Sequence, residues 1–148
     1  MTLIASVRSF MEDFPLLEDG AIVMVDHLDA RPIQYSVIPL PGEQIVENYI
    51  NGSSLRQFPF AFQTAKSTAD DLERIESIGF LENLMDWFEE RTEDKDLPAL
   101  ENGKTSTSIE IASWGYLYEQ GESDVGIYQI IGRLVYKQPP YTPVTGSS

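Results

Sequence analysis

The residues that could do chemistry in this chain are few, and their spacing matches no catalytic motif. The 148 residues contain no cysteine and a single histidine, His27, which follows Asp26. Without cysteine the chain has no thiolate metal site, redox pair or cysteine nucleophile. A histidine-activated serine would need the fold to bring one of three candidates to this histidine: Ser53, Ser54 or Ser113. No nucleophile-elbow pattern surrounds them, and we expect no catalytic residue.

Acidic residues are plentiful, but their order matches no cation or phosphate site. Asp94, Asp96 and Glu101 could reach a divalent cation, yet they lack the glycine and the ligand order of a calcium loop. Residues 103 to 105 (Gly-Lys-Thr) are similar to the end of a phosphate-binding loop, but Pro98 stands where its first glycine is required. We predict neither a metal nor a cofactor.

The net charge of −14 is unevenly distributed, since residues 67 to 104 hold 12 acids and 4 bases. Binding to duplex DNA through a basic patch is therefore not expected. The acids could form a solvated helix face or a surface that repels nucleic acid. No apolar run reaches the length of a membrane span, so no membrane partner is expected.

The apolar spacing predicts one α+β domain over residues 1 to 138 and an extended tail over residues 139 to 148. We expect a helix over residues 3 to 14, short covered strands at 21 to 27 and 34 to 40, and a helical segment at 68 to 91. A mostly antiparallel sheet of about four to six strands should carry both helices on one face. The predicted core comprises Phe10, Phe60, Phe62, Leu84, Trp87 and Phe88.

Two local features carry more specific expectations. Asn51-Gly52 predicts a hairpin with a type I′ turn, because both residues tolerate positive φ. In the helical segment, Gly79 predicts a kink or a break, with Leu72, Ile75 and Ile78 facing inward before it.

The strands at residues 108 to 118 and 125 to 137 alternate with apolar groups on both faces, which favours association between subunits. We expect the loop at residues 97 to 108 and the C-terminal tail to be among the contacts. The candidate interface residues are Asn102, Lys104, Trp114, Tyr116, Arg133, Tyr136 and Tyr141.

An ordered set of segments resembles a family of minor capsid or tail-completion proteins of tailed phages and prophages, similar to the tail terminators of long-tailed phages. The resemblance covers residues 30 to 138. It rests on Asn51-Gly52-Ser53-Ser54, Leu55-Arg56-Gln57-Phe58, Gly79-Phe80-Leu81-Glu82, Asp86-Trp87-Phe88-Glu89, Leu97-Pro98, Gly103-Lys104, the segment at 113 to 118, Tyr128-Gln129-Ile130 and Arg133-Leu134-Val135-Tyr136.

The resemblance implies a structural virion protein that is assembled in the cytoplasm of the bacterial host. A homo-oligomeric ring of about six subunits would cap the major tail tube protein and meet the head-tail connector protein. DNA would pass through the ring without specific binding, and the candidate channel-facing acids are Asp70, Asp71, Glu73 and Glu76. Two alternatives stay open: an acidic inhibitor that mimics DNA, and a small enzyme.

Overall fold

The structure, a computed structural model, describes residues 2–17, 23–25, 34–42, 44–67, 70–120 and 125–140. It confirms an α+β fold in which two helices pack on a six-stranded, mostly antiparallel sheet. The elements in chain order are α1 (Leu3–Met11), β1 (Val23–Val25), β2 (Gln34–Pro39), β3 (Ile45–Asn48), β4 (Ser54–Ser67), α2 (Asp71–Glu93), β5 (Thr105–Gln120) and β6 (Val125–Gln138).

The sheet is built around the long strand β4, in the order β1-β2-β4-β6-β5. β1 and β2 are parallel and the other pairs are antiparallel, while β3 pairs with the Ser54 end of β4 beyond the end of β2. Pro59 lies within this central strand, and its carbonyl accepts a hydrogen bond from Leu40 N. Its missing N–H therefore faces the gap between β2 and β3, where no ladder bond to β6 is lost.

α1 begins as predicted, because the Thr2 side chain accepts a hydrogen bond from Ala5 N at 3.2 Å and caps the helix. The helix buries Val7, Phe10 and Met11 against the sheet and α2. The six residues predicted to form the core all belong to one buried cluster.

Aromatic contacts join α1 to the C-terminal half of α2. The Phe10 ring lies 4.7 Å from that of Trp87, and the Phe14 ring lies 5.1 Å from it. The Arg91 guanidinium covers the Phe10 and Trp87 rings at 4.7 and 4.9 Å, and Arg91 Nε donates to the Asp96 carbonyl. The N-terminal helix is thereby part of the core.

The predicted break in the second helix is wrong, because α2 runs as one helix for 23 residues. A continuous helix turns about 100° per residue, so the apolar positions before and after Gly79 cannot all face the sheet. The later set, centred on Leu81, Leu84 and Phe88, faces the sheet and is buried. The expectation that Leu72, Ile75 and Ile78 face inward is therefore also wrong.

The hairpin between β3 and β4 is confirmed, but its turn is not type I′. Gly52 has a φ of 90°, whereas Asn51 has no positive φ. Tyr49 N donates to the Ser53 carbonyl and Gly52 N to the Tyr49 carbonyl, so the loop has three residues with glycine in the left-handed position. The Asn51 side chain instead accepts hydrogen bonds from Ser53 N and Oγ, at 3.0 and 2.6 Å.

The segment at residues 97 to 108 is only partly the surface loop that the sequence predicts. β5 already begins at Thr105, and Ser106 Oγ donates to the carbonyl of the buried Pro98. Leu97 and Leu100 pack against the core. Apolar residues at irregular spacing hold this segment in place, and periodicity does not reveal them.

Candidate functional site

The structure brings no predicted catalytic set together. His27 lies outside the described residues, and no group of three or more histidine, cysteine, aspartate or glutamate side chains within the described ranges is placed to hold a metal. An open groove of about 560 Å³ lies between parts of α2 and β5, with Glu82, Asp86 and Glu89 on its helix side and Ile111 and Ser113 on its strand side. No helix among the described residues is long and apolar enough to cross a membrane.

Those predicted interface residues whose side chains the structure describes do not form one surface. Asn102 is exposed in the loop before β5 with a φ of 60°, and Lys104 is half-buried nearby. Trp114 and Tyr116 lie on β5, with side chains outside the described part, as is all of Tyr141.

The prediction that Tyr136 is an interface residue is wrong, because Tyr136 is only 3% exposed and belongs to the core. It lies on the helix-covered side of β6 together with Tyr128, Ile130 and Leu134, all of them buried. Burial raises the pKa of the Tyr136 phenol, although the charge of Arg56 acts in the opposite direction. Alternation identified this face of the strand correctly, but the face is covered by the protein's own helices.

Arg133 belongs to a polar network on the other side of the sheet. Its guanidinium donates to Glu110 Oε1 at 3.0 Å and to Gln57 Oε1 at 3.2 Å, and Ser108 Oγ donates to Glu110 Oε2. Partial burial raises the pKa of Glu110, but the hydrogen bonds from Arg133 and Ser108 and the arginine charge outweigh it, so this pKa is lowered overall. The network ties β4, β6 and β5 together across the sheet.

The second face of the sheet also carries a buried polar pair. Gln63 Nε2 donates to Gln129 Oε1 at 2.6 Å, and both side chains are buried between neighbouring strands. Ile131 and Val135 share this face. Val135 is only 8% exposed and Ile131 is half-buried, so this face is partly covered. The apolar character of this face is therefore interrupted by the two buried glutamines.

The four predicted channel acids lie at the start of α2, but they do not form one described surface. Asp70 directly precedes the helix and Glu76 lies on it, and both are exposed. Six residues of helix separate these positions by about 120° around the axis. Asp71 and Glu73 are helix positions whose side chains are outside the described part.

A better aligned set of acids lies further along α2 and was missed at the sequence level. Glu82, Asp86, Glu89 and Glu93 are all exposed and recur at intervals of four, three and four residues. This spacing places them on one side of the helix over about 16 Å. We call this set the acidic stripe. The spacing of these acids is regular, but in the sequence they alternate with the apolar residues of the predicted core.

Two exposed apolar patches stand out on the described surface. The helix patch consists of Leu72, Ile75 and Ile78, which are 64%, 65% and 45% exposed. Ser77 faces inward at this level of α2 and hydrogen-bonds to Tyr128, so a polar contact joins the start of the helix to the sheet.

The second patch, the hairpin patch, consists of Ile45 and Val46 of β3 and Tyr49 and Ile50 beside its turn. Every residue of β3 is exposed, and Ile50 at the tip is fully exposed. Pro139 and Pro140, the first residues of the predicted tail, lie against Gly103 and Gly52 and pack this end of the sheet. Exposed apolar groups on a strand at a sheet edge are typical of an interaction surface.

The chain was compared with known protein families and with curated proteins. No family model matches it, and no curated protein matches it significantly.

Proposed function

We propose that this protein is a structural subunit of a phage or prophage virion that completes the tail. Copies of the chain would form a ring on the last ring of tail tube protein, stop tube growth and offer a surface to the head-tail connector. Assembly would take place in the bacterial cytoplasm, and the virion would be the final location.

The observation that carries this proposal is the helix patch. Leu72 and Ile75 are largely exposed on a protein that buries a full aromatic core elsewhere. Covering an apolar side chain of this size is worth about 1.5–3 kcal/mol, so a partner surface would gain substantially by packing here. Exposed apolar patches of this kind are typical of protein–protein contacts, which an assembly subunit requires.

The proposal also includes that DNA passes through the ring without binding, and the acidic stripe supports this part. Four exposed carboxylates at Glu82, Asp86, Glu89 and Glu93 repel a phosphate backbone. We propose that the acidic stripe, in place of the four acids at the start of α2, faces the channel of the ring.

Disruption of the gene in a phage that encodes this protein tests the role. We expect electron microscopy to show capsids that are not joined to tails and tubes longer than normal, because nothing caps the growing polymer. Wild-type protein supplied in trans should restore normal particles. Joined, DNA-filled particles with tails of normal length from the disrupted phage would contradict the proposal.

A charge reversal tests the channel separately. Asp86→Lys with Glu89→Lys should leave particle assembly intact but lower infectivity, because the DNA would adhere to a basic channel wall. The matched control reverses two exposed acids elsewhere, Glu12→Lys with Glu101→Lys. Equal infectivity of both double variants would remove the acidic stripe from the channel.

The same stripe favours one other function, an inhibitor that mimics DNA. Its four carboxylates recur about every 5.5 Å along the helix axis, a regular line of negative charge that is wider than the axial charge spacing of one DNA strand, about 3.4 Å. Titration of a basic DNA-binding enzyme with the protein distinguishes the two functions. Inhibition that disappears when all four acids are changed to amides would favour the mimic, and particle morphology would then be normal without the gene.

A further inference from the structure

The two apolar patches lie at opposite ends of the protein. The hairpin patch adjoins the Ser54 end of β4, whereas α2 follows the Ser67 end, and Ser77 contacts Tyr128 opposite Thr64. The ten residue-to-residue steps from 54 to 64 span about 33 Å of extended strand. The helix patch and the hairpin patch of one subunit therefore cannot contact each other.

The charges that flank the two patches have opposite signs. Residues 70 to 78 contain four acids and one base, and Asp70 and Glu76 are exposed. The hairpin patch is flanked by two bases: Arg56 pairs with Ile45 across the strands, and Lys137 Nζ lies 5.8 Å from the centre of the Tyr49 ring. Glu47 is the one acid on β3. Each patch is thus an apolar surface with a charged border that suits the other.

We infer that the helix patch of one subunit packs on the hairpin patch of the next, in a head-to-tail contact between copies of this chain. A contact between two different patches leaves one of each free in every pair of subunits, so it can continue into a ring. A two-fold contact of helix patch on helix patch would bring together two segments that each carry four acids and one base over residues 70 to 78, which is electrostatically unfavourable. The inference takes from the proposed function only the idea that copies of the chain assemble.

Sedimentation velocity of the purified full-length protein over a concentration series tests this contact. We expect Ile75→Asp and Ile50→Asp each to weaken self-association at least tenfold, because a carboxylate would be buried in an apolar contact. The matched control is Leu16→Asp, which changes a leucine that is 50% exposed outside both patches, and it should associate like the wild type. Circular dichroism checks that each variant is folded.

Mixing the two defective variants gives the sharpest result. Ile75→Asp keeps an intact hairpin patch and Ile50→Asp keeps an intact helix patch, so their mixture should form a one-to-one dimer that neither forms alone. A two-fold contact between helix patches predicts instead that Ile50→Asp still dimerises and that mixing restores nothing. The head-to-tail contact should also weaken as sodium chloride is raised, since its borders carry opposite charges.

Three results would overturn the inference: a wild type that stays monomeric at every concentration, unchanged association of both aspartate variants, and a mixture that forms no dimer. The proposed function fails differently. If the head-to-tail contact forms but loss of the gene leaves tails normal, the contact stands and the tail-completion role does not.

Discussion

The two halves of α2 have similar apolar spacing and opposite fates. In the C-terminal half, Leu81, Leu84 and Phe88 are fully buried under α1 and against the sheet. In the N-terminal half, the helix patch points away from the sheet, and Ser77 makes the inward contact. Apolar spacing along a helix therefore predicts a face that is stabilised by burial. It does not show whether the residues that bury this face belong to the same chain.

The helix phase explains which half is buried. A straight helix can present only one stripe to the sheet, and the half with the larger aromatic side chains fixes the rotation. Phe88 packs 6.2 Å from Phe60 and Trp87 packs against α1, which sets the orientation of the whole helix. The exposure of the helix patch follows from this orientation.

The largest effect should come from removing the aromatic contact in the buried half. We expect Trp87→Ala to lower the free energy of unfolding by about 3–5 kcal/mol, since it deletes a buried ring from the core. Ile75→Ala in the exposed half should change it by less than about 0.5 kcal/mol. Urea unfolding of both variants at low protein concentration measures the difference. If Trp87→Ala does not fold, Trp87→Phe provides a milder loss. Equal effects would refute the contrast between the two halves.

A smaller effect should follow the loss of the arginine that covers two aromatic rings. Arg91→Ala should lower the free energy of unfolding by about 1–2 kcal/mol, because its guanidinium stacks on Phe10 and Trp87. The ion pairs of Arg91 add little, since Asp13 and Asp96 are two-thirds exposed. Arg74→Ala, in the exposed half, is the matched control and should cost less than about 0.5 kcal/mol. If Arg74→Ala lowered the free energy of unfolding as much as Arg91→Ala does, the contrast between the two halves of α2 would be wrong.

The junction of the two halves should respond in the opposite direction. Nothing lies within 4 Å of a Cβ added at Gly79, and its φ is not positive. Gly79→Ala should therefore raise the free energy of unfolding by about 1 kcal/mol through helix propensity. Thermal unfolding measures the gain. A loss of stability would mean that the helix bends at this glycine after all.

The sequence predicted what depends on strong local periodicity. The start of the first helix at Leu3 and the aromatic core both follow from apolar spacing, and the structure confirms them. The predicted type I′ turn at Asn51 is wrong, because the Asn51 side chain accepts a hydrogen bond from Ser53 N. This hydrogen bond competes with the backbone geometry that the Asn-Gly dipeptide usually adopts.

The candidate surfaces were harder to predict than the fold. Apolar spacing predicts that the residues of the helix patch face the core, because spacing alone does not reveal how a helix is rotated. Alternation predicts an interface at Tyr136, because it does not reveal which face of the strand the helices cover. The acids of the acidic stripe are regularly spaced, but apolar core residues lie between them in the sequence, so the stripe is not visible as a continuous acidic segment. The rotation of a helix about its axis and the burial of a strand face depend on tertiary packing, so the sequence of a single element does not reveal them.

The measurement that bears most directly on the exposed half of α2 uses the absence of natural cysteine. Ile75→Cys introduces a single thiol, and its alkylation rate can be compared between the free subunit and assembled particles. We expect fast labelling in the free subunit and at least tenfold protection in particles, while Leu16→Cys stays equally reactive in both. Slow labelling in the free subunit, or equal labelling of Ile75→Cys before and after assembly, would contradict an assembly surface on this helix.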